Sequence, residues 1–256
     1  MSNKEFAEKI KQQGLIYSFS ETNSLKECLD KLTIDYLSIF LQTDVLLSKY
    51  FLEKKDTPIT FPIDFMDFAA YLGIKTLPSD LNYYNSSKAS SLLSKIESKN
   101  EQDYIIYDRM QTRLYINYGI CYQIAAYLYK NKNIICRNSK LYLTQEENIV
   151  DIIASFLILP PIATFNEITE YTKKNNRQID FDEMFLNLVT KTQMPTYKVV
   201  TSYEKLKVLG YYFNSSVETK KDLINKYLDE EGLSQIKEEA IKTLEYKNKI
   251  SHTLFL

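Results

Sequence analysis

Residues Arg113 to Lys130 read RLYINYGICYQIAAYLYK, and this stretch decides how the rest of the chain is organised. Leu114, Tyr118, Cys121, Tyr122, Ala125 and Leu128 recur at spacings of three and four. That is the period of an α-helix with one buried face. Gly119 stands in the middle, where glycine costs roughly 1 kcal/mol against alanine, so close packing or a lost side chain has to account for it. Tyr118 and Tyr122 are four apart, the separation at which two histidines on adjacent turns can grip a zinc ion.

Around this helix the pattern alternates between helical and extended. DYIIYD (Asp103–Asp108) and KLYLT (Lys140–Thr144) read as strands, short, β-branched or aromatic, and bounded by polar residues. TQEENIVDIIASFLILPP, from Thr144, reads as a second buried helix stopped by Pro160 and Pro161. Upstream, one amphipathic stretch covers Lys4–Gln12 and a stronger one Ser24–Glu53, as one helix or two. Pro58 and Pro62 bracket a break, after which a short helix starts at Asp64 and ends at Gly73. A further helix is predicted over Ser87–Glu97. Downstream, helices are predicted over Phe181–Thr190 and Thr196–Leu209, then a helical hairpin of Lys220–Glu230 and Ser234–Lys247 broken at Gly232. The expected fold class is α+β, mainly helical with a small sheet.

Composition narrows the function classes. The 256 residues carry 32 Lys plus Arg against 33 Asp plus Glu, a net charge of -1 that gives no electrostatic reason to expect nucleic acid as main partner. The apolar run from Ile149 to Ile162 is interrupted by Asp151 and Pro160 and is too short to span a bilayer. MSNKEFAEKIKQQG at the N-terminus lacks the apolar core of a signal peptide. No membrane partner and a cytoplasmic location are expected. Cys28, Cys121 and Cys136 are widely spaced, which fits reduced thiols. The single histidine, His252, cannot supply the two imidazoles of an HExxH zinc site. No metal and no cofactor are expected.

Four segments, in order, carry a resemblance: FPIDFMDFAAYLGIKT from Phe61, YIIYDRMQTRLYINYGICY from Tyr104, ENIVDIIASFLILP from Glu147 and VVTSYEKLKVLGYY from Val199. Together they resemble the ImmA/IrrE family of bacterial zinc metallopeptidases over Phe61–Phe213. The resemblance implies a zincin-like core at 59–213, with a helical N-terminal extension at 1–58 and the C-terminal hairpin at 214–256. It sets Tyr118 and Tyr122 at the two zinc-binding histidine positions and Gly119 at the general-base glutamate. Glu147 keeps the family's identity at the third-ligand position. One carboxylate is too few donors to hold and polarise zinc, so the expected protein is a pseudoenzyme without catalytic residues. It would recognise a protein partner without cutting it: a helix-turn-helix repressor, or another regulator of a mobile element or stress response. The expected binding cleft combines a strand around Tyr104 and Tyr107, to which a peptide adds as an extra strand, with Tyr118, Tyr122 and Glu147.

Plainer readings stand beside these. Tyr118 and Tyr122 fit core packing with partnered hydroxyls as well as an adapted pocket. TQEE from Thr144 is a capping-box pattern that alone accounts for Glu147. Cys121 reads as a small buried apolar residue. MPTYKVVTSYEKLKVLG, with Lys198, Lys205 and Lys207, has a helix-turn-helix flavour and leaves a DNA-binding regulator as an alternative. A metalloprotease with unusual ligands is the remaining one.

Overall fold

The computed structural model describes residues 25–54, 59–80, 94–131, 133–134, 146–174, 181–206, 209, 216–227, and residues 234, 237–238, 240–242 and 244–245. The expected helix at Lys4–Gln12, the strand at Lys140–Thr144, Thr144 as a cap, the Gly232 break, Cys136, His252 and the side chains of Cys28 and Glu147 lie outside them.

The chain over Leu25–Glu53 forms one continuous helix, α1. From Tyr36 to Val45 it is buried all round, so it runs through the core rather than over it. Two of its buried polar side chains bond back within the helix. Gln42 Nε2 donates to the Ser38 carbonyl and hydroxyl, both at 3.2 Å, and Thr43 Oγ1 to the Ile39 carbonyl at 2.8 Å. The short helix α2 spans Phe65–Tyr71. Asp64 caps it, accepting from the backbone N–H of Met66 and Asp67 at 3.0 Å each. At its other end Gly73 has φ +79°, and the N–H groups of Gly73 and Ile74 return to the Ala70 and Ala69 carbonyls. This is the left-handed glycine stop that the sequence announced.

Three strands follow: β1 (Lys75–Ser79), β2 (Ser94–Lys99) and β3 (Gln102–Asp108), in the order β1-β3-β2. β1 runs parallel to β3 and β2 antiparallel. The helix expected over Ser87–Glu97 is therefore corrected where it is described: Ser94–Glu97 belong to β2. A two-residue turn sets the hairpin. Asn100 and Glu101 take φ 52° and 62° between the paired residues Lys99 and Gln102, the backbone that matches strand twist. β1 escaped the sequence reading because it holds Pro78, which a strand tolerates on a sheet edge.

The Arg113–Lys130 stretch is helix α3 along the length its periodicity predicts. Helix α4 (Glu146–Ile158) ends before Pro160, and a further helix, α5 (Pro161–Lys174), begins at once. The proline pair stops one helix and starts the next, since Pro161 at the first helical position has no N–H to leave unbonded. Helices α6 (Phe181–Thr192), α7 (Thr196–Leu206) and α8 (Val217–Tyr227) complete the ordered run. The described residues between 234 and 245 are helical too, and Glu245 accepts from Lys221 Nζ at 2.6 Å.

One buried cluster joins these elements, from Tyr36 in α1 through Phe156 in α4 to Ile224 in α8 and Ala240. The Tyr36 and Phe40 rings meet Phe156 edge-on at 6.1 and 6.2 Å. The described parts of 1–58, 59–213 and 214–256 thus share a core, and α1 contributes to it from Tyr36 to Phe51. No single helix among the described residues is long and apolar enough to cross a membrane.

Candidate functional site

The middle of α3 is built against three neighbours. On the sheet side, Ser94 at the start of β2 donates its hydroxyl to the Gly119 carbonyl at 2.8 Å, and Gln123 Nε2 donates to the Ser94 carbonyl at 3.0 Å. This reciprocal clamp presses β2 onto the helix at the glycine, which is buried. On the α4 side, the fully buried Cys121 lies with Sγ 3.8 Å from the Ala154 carbonyl. Burial pushes its thiol well above the ordinary range, so it is no nucleophile. On the α7 side, Asn117 Nδ2 donates to the Gln193 carbonyl at 3.2 Å. Gln193 sits in a left-handed conformation, φ 54°, in the turn between α6 and α7.

That turn delivers Lys198 to the centre of the site. Its Nζ stands 4.5 Å from the centroid of the Tyr118 ring and 5.4 Å from that of Tyr197. It is also 3.5 Å from Asp151 Oδ1. The other carboxylate oxygen of Asp151 pairs with Lys205, which is 5% exposed and also donates to Ser155 Oγ at 3.0 Å. Burial raises the Asp151 carboxyl, but the attraction of Lys205 and Lys198 outweighs it and holds the group below the usual carboxylate range. Burial lowers the Lys205 ammonium, and Asp151 only partly restores it. Tyr118, buried and close to the Asp151 charge, has its phenol pushed far up, so it keeps its proton. One carboxylate is thus shared by two ammonium groups beneath a neutral phenol.

Tyr118 and Tyr122 do lie together, ring centroids 6.1 Å apart; Tyr118 is buried and Tyr122 half-buried. Leu114, expected on the buried face, is 37% exposed because the first turn of α3 runs clear of the core. The cleft expected from Tyr104 and Tyr107 needs correction on two counts. β3 is the central strand, with Tyr104 opposite Lys75 and Glu97, and Tyr107 opposite Pro78 and Ser94. No edge is left there for a peptide to join. The two tyrosines are also three residues apart on a strand, hence on opposite faces of the sheet. Tyr107 shares the core face with the buried Ile105. Glu147 lies in α4 one turn before Asp151, and Asp151 is the carboxylate beside Tyr118.

Sequence reading passed over Asp151 as an interruption. Its signal was there: a lone charge inside IVDIIASFLIL calls for a buried partner. Lys198, Lys205 and Lys207 are the basic residues of the DNA-binding alternative; Lys207 lies outside the described residues. Lys198, which is half-buried, and Lys205, which is buried, both reach Asp151.

The zinc ion that the resemblance implies does not fit this donor set. Tyr118 offers a phenol that keeps its proton, and Gly119 offers no side chain. Two ammonium groups flank Asp151, the carboxylate beside Tyr118, and oppose the approach of a divalent cation to it. Among the described residues, no three His, Cys, Asp or Glu side chains are grouped to hold a metal. No family model, no curated protein and no solved structure matches the chain.

Proposed function

We propose that this chain is a catalytically inactive zincin-like protein of the ImmA/IrrE type, a cytoplasmic regulatory module that binds a protein partner without cutting it. The observation that carries the reading is the Tyr118–Lys198–Asp151–Lys205 cluster, built against the helix where the resemblance calls for catalytic machinery. A zinc peptidase needs imidazole donors and a carboxylate that takes a proton from water. At those positions this chain has phenols and a glycine, and the space beside them is filled by its own ammonium group. The first turns of α3 and α7 expose two tyrosines and a leucine. Tyr115 and Leu114 on the first turn of α3 are 36% and 37% exposed, and Tyr197 on the first turn of α7 is 49% exposed. Tyrosines on a rigid helical rim give large contact area at small entropic cost, which suits protein recognition.

The favoured client is a helix-turn-helix repressor or comparable regulator of a mobile element or stress response. Calorimetry of the purified chain with helix-turn-helix repressors from its own genome, followed by intact-mass measurement of the mixture, tests this. The expected outcome is a saturable complex with the repressor uncut, weakened at least tenfold by the double change Tyr115→Ala and Tyr197→Ala. Cleavage of the repressor, or affinity indifferent to both changes, contradicts the proposal.

A further inference from the structure

The cluster contains one more cation than its carboxylate needs, and the position of that cation is informative. Lys198 sits in the first turn of α7, a turn with no acidic residue. Helix N-termini disfavour positive charge, so an ammonium there calls for compensation from outside its own helix. It finds it on two others: the Tyr118 ring of α3 and the Asp151 carboxylate of α4. These are the two helices from which the resemblance draws zinc ligands. The turn that places Lys198 is itself held to α3 by the Asn117–Gln193 hydrogen bond, and Gln193 there adopts a left-handed backbone that a non-glycine residue rarely takes.

We propose that the Lys198 ammonium is the resident cation of this site: it joins α3, α4 and α7 as a metal ion would, and it bars a metal from the same space. The inference rests on the reading of α3 as a former metal-binding helix. In a metal site the ion's charge is matched by carboxylates and its position is fixed by side chains from several elements. Here a side chain of the chain itself supplies the charge, Asp151 matches it, and Tyr118 covers it with the face of its ring. Loss of the histidines and gain of the lysine are then one change. A chain that regained only the histidines would still present a fixed ammonium to an incoming divalent ion.

The experiment compares two purified variants. One carries Tyr118→His, Gly119→Glu and Tyr122→His; the other carries these and Lys198→Met, which keeps the side-chain stem. Each is incubated with zinc chloride, desalted and assayed for bound zinc by elemental analysis, with circular dichroism to confirm the native helix content. The expected result is no retained zinc in the triple variant and one zinc per chain in the quadruple variant, with affinity at least tenfold higher. Equal zinc retention by both overturns the role of Lys198 while leaving the reading of the helix intact. Failure of both folded variants to retain zinc overturns that reading, and the inference with it. Should the variants not fold, Lys198→Met and Lys198→Arg in the natural chain decide. The ammonium role requires a lower unfolding midpoint for Met than for Arg; equal midpoints overturn it.

Discussion

Asp151 holds one negative charge between two ammonium groups, so removing it differs in kind from removing either lysine. Asp151→Asn leaves Lys205 buried without a counter-charge, and breaking such a pair from one side costs about 3 kcal/mol. The expected fall in thermal midpoint is roughly 6–12 °C, read by calorimetry. Lys205→Met should cost clearly less, because an apolar chain of similar volume replaces the stem and Asp151 keeps Lys198. The acid limb of stability follows from the same pair. The carboxyl titrates lower in the folded chain than its ordinary 3.8, so its contribution is complete above that value and is lost as pH falls through the depressed one. Asp151→Asn should flatten this limb in acid-unfolding curves; an unchanged slope contradicts the assignment. The need for a partner could be read from a charge in an apolar helix. Its identity could not, because Lys198 and Lys205 lie 47 and 54 residues further on.

Elements with strong periodicity and caps are legible in the sequence alone. The limits of α3 follow from its apolar spacing, and those of α2 from Asp64 and Gly73. The two missed strands lack such marks: β1 contains a proline, and β2, SKIESK, is mostly exposed and owes its state to pairing with β3. Tertiary pairing outweighs local propensity in strands of this kind. The turn joining β2 to β3 is imperfect in one residue, since Glu101 adopts a left-handed φ of 62°. Glu101→Gly should raise stability by about 0.5–1 kcal/mol, seen as a higher urea midpoint at unchanged slope. The clamp between β2 and α3 gives an opposite case. Ser94→Ala removes the donor to the Gly119 carbonyl, which keeps its place in the helix, so the loss should be about 1 kcal/mol.

At the scale of the whole molecule, the sequence suggested an extension, a central domain and a hairpin, whereas burial runs through all three. Periodicity shows that a helix has an apolar face but not which neighbour covers it, and α1 is covered on every side over Tyr36–Val45, its polar Ser38, Gln42, Thr43 and Asp44 included. A chain lacking residues 1–58 should therefore fail to fold, and the full chain should unfold in a single transition by circular dichroism and fluorescence. Within this one body, the role proposed for α3 is to hold a cation supplied by the chain itself and to recognise a partner without catalysis. Elemental analysis of the natural protein, purified without chelator and incubated with zinc chloride, tests that most directly. The predicted result is a folded chain with no stoichiometric metal; one tightly held zinc per chain would contradict it.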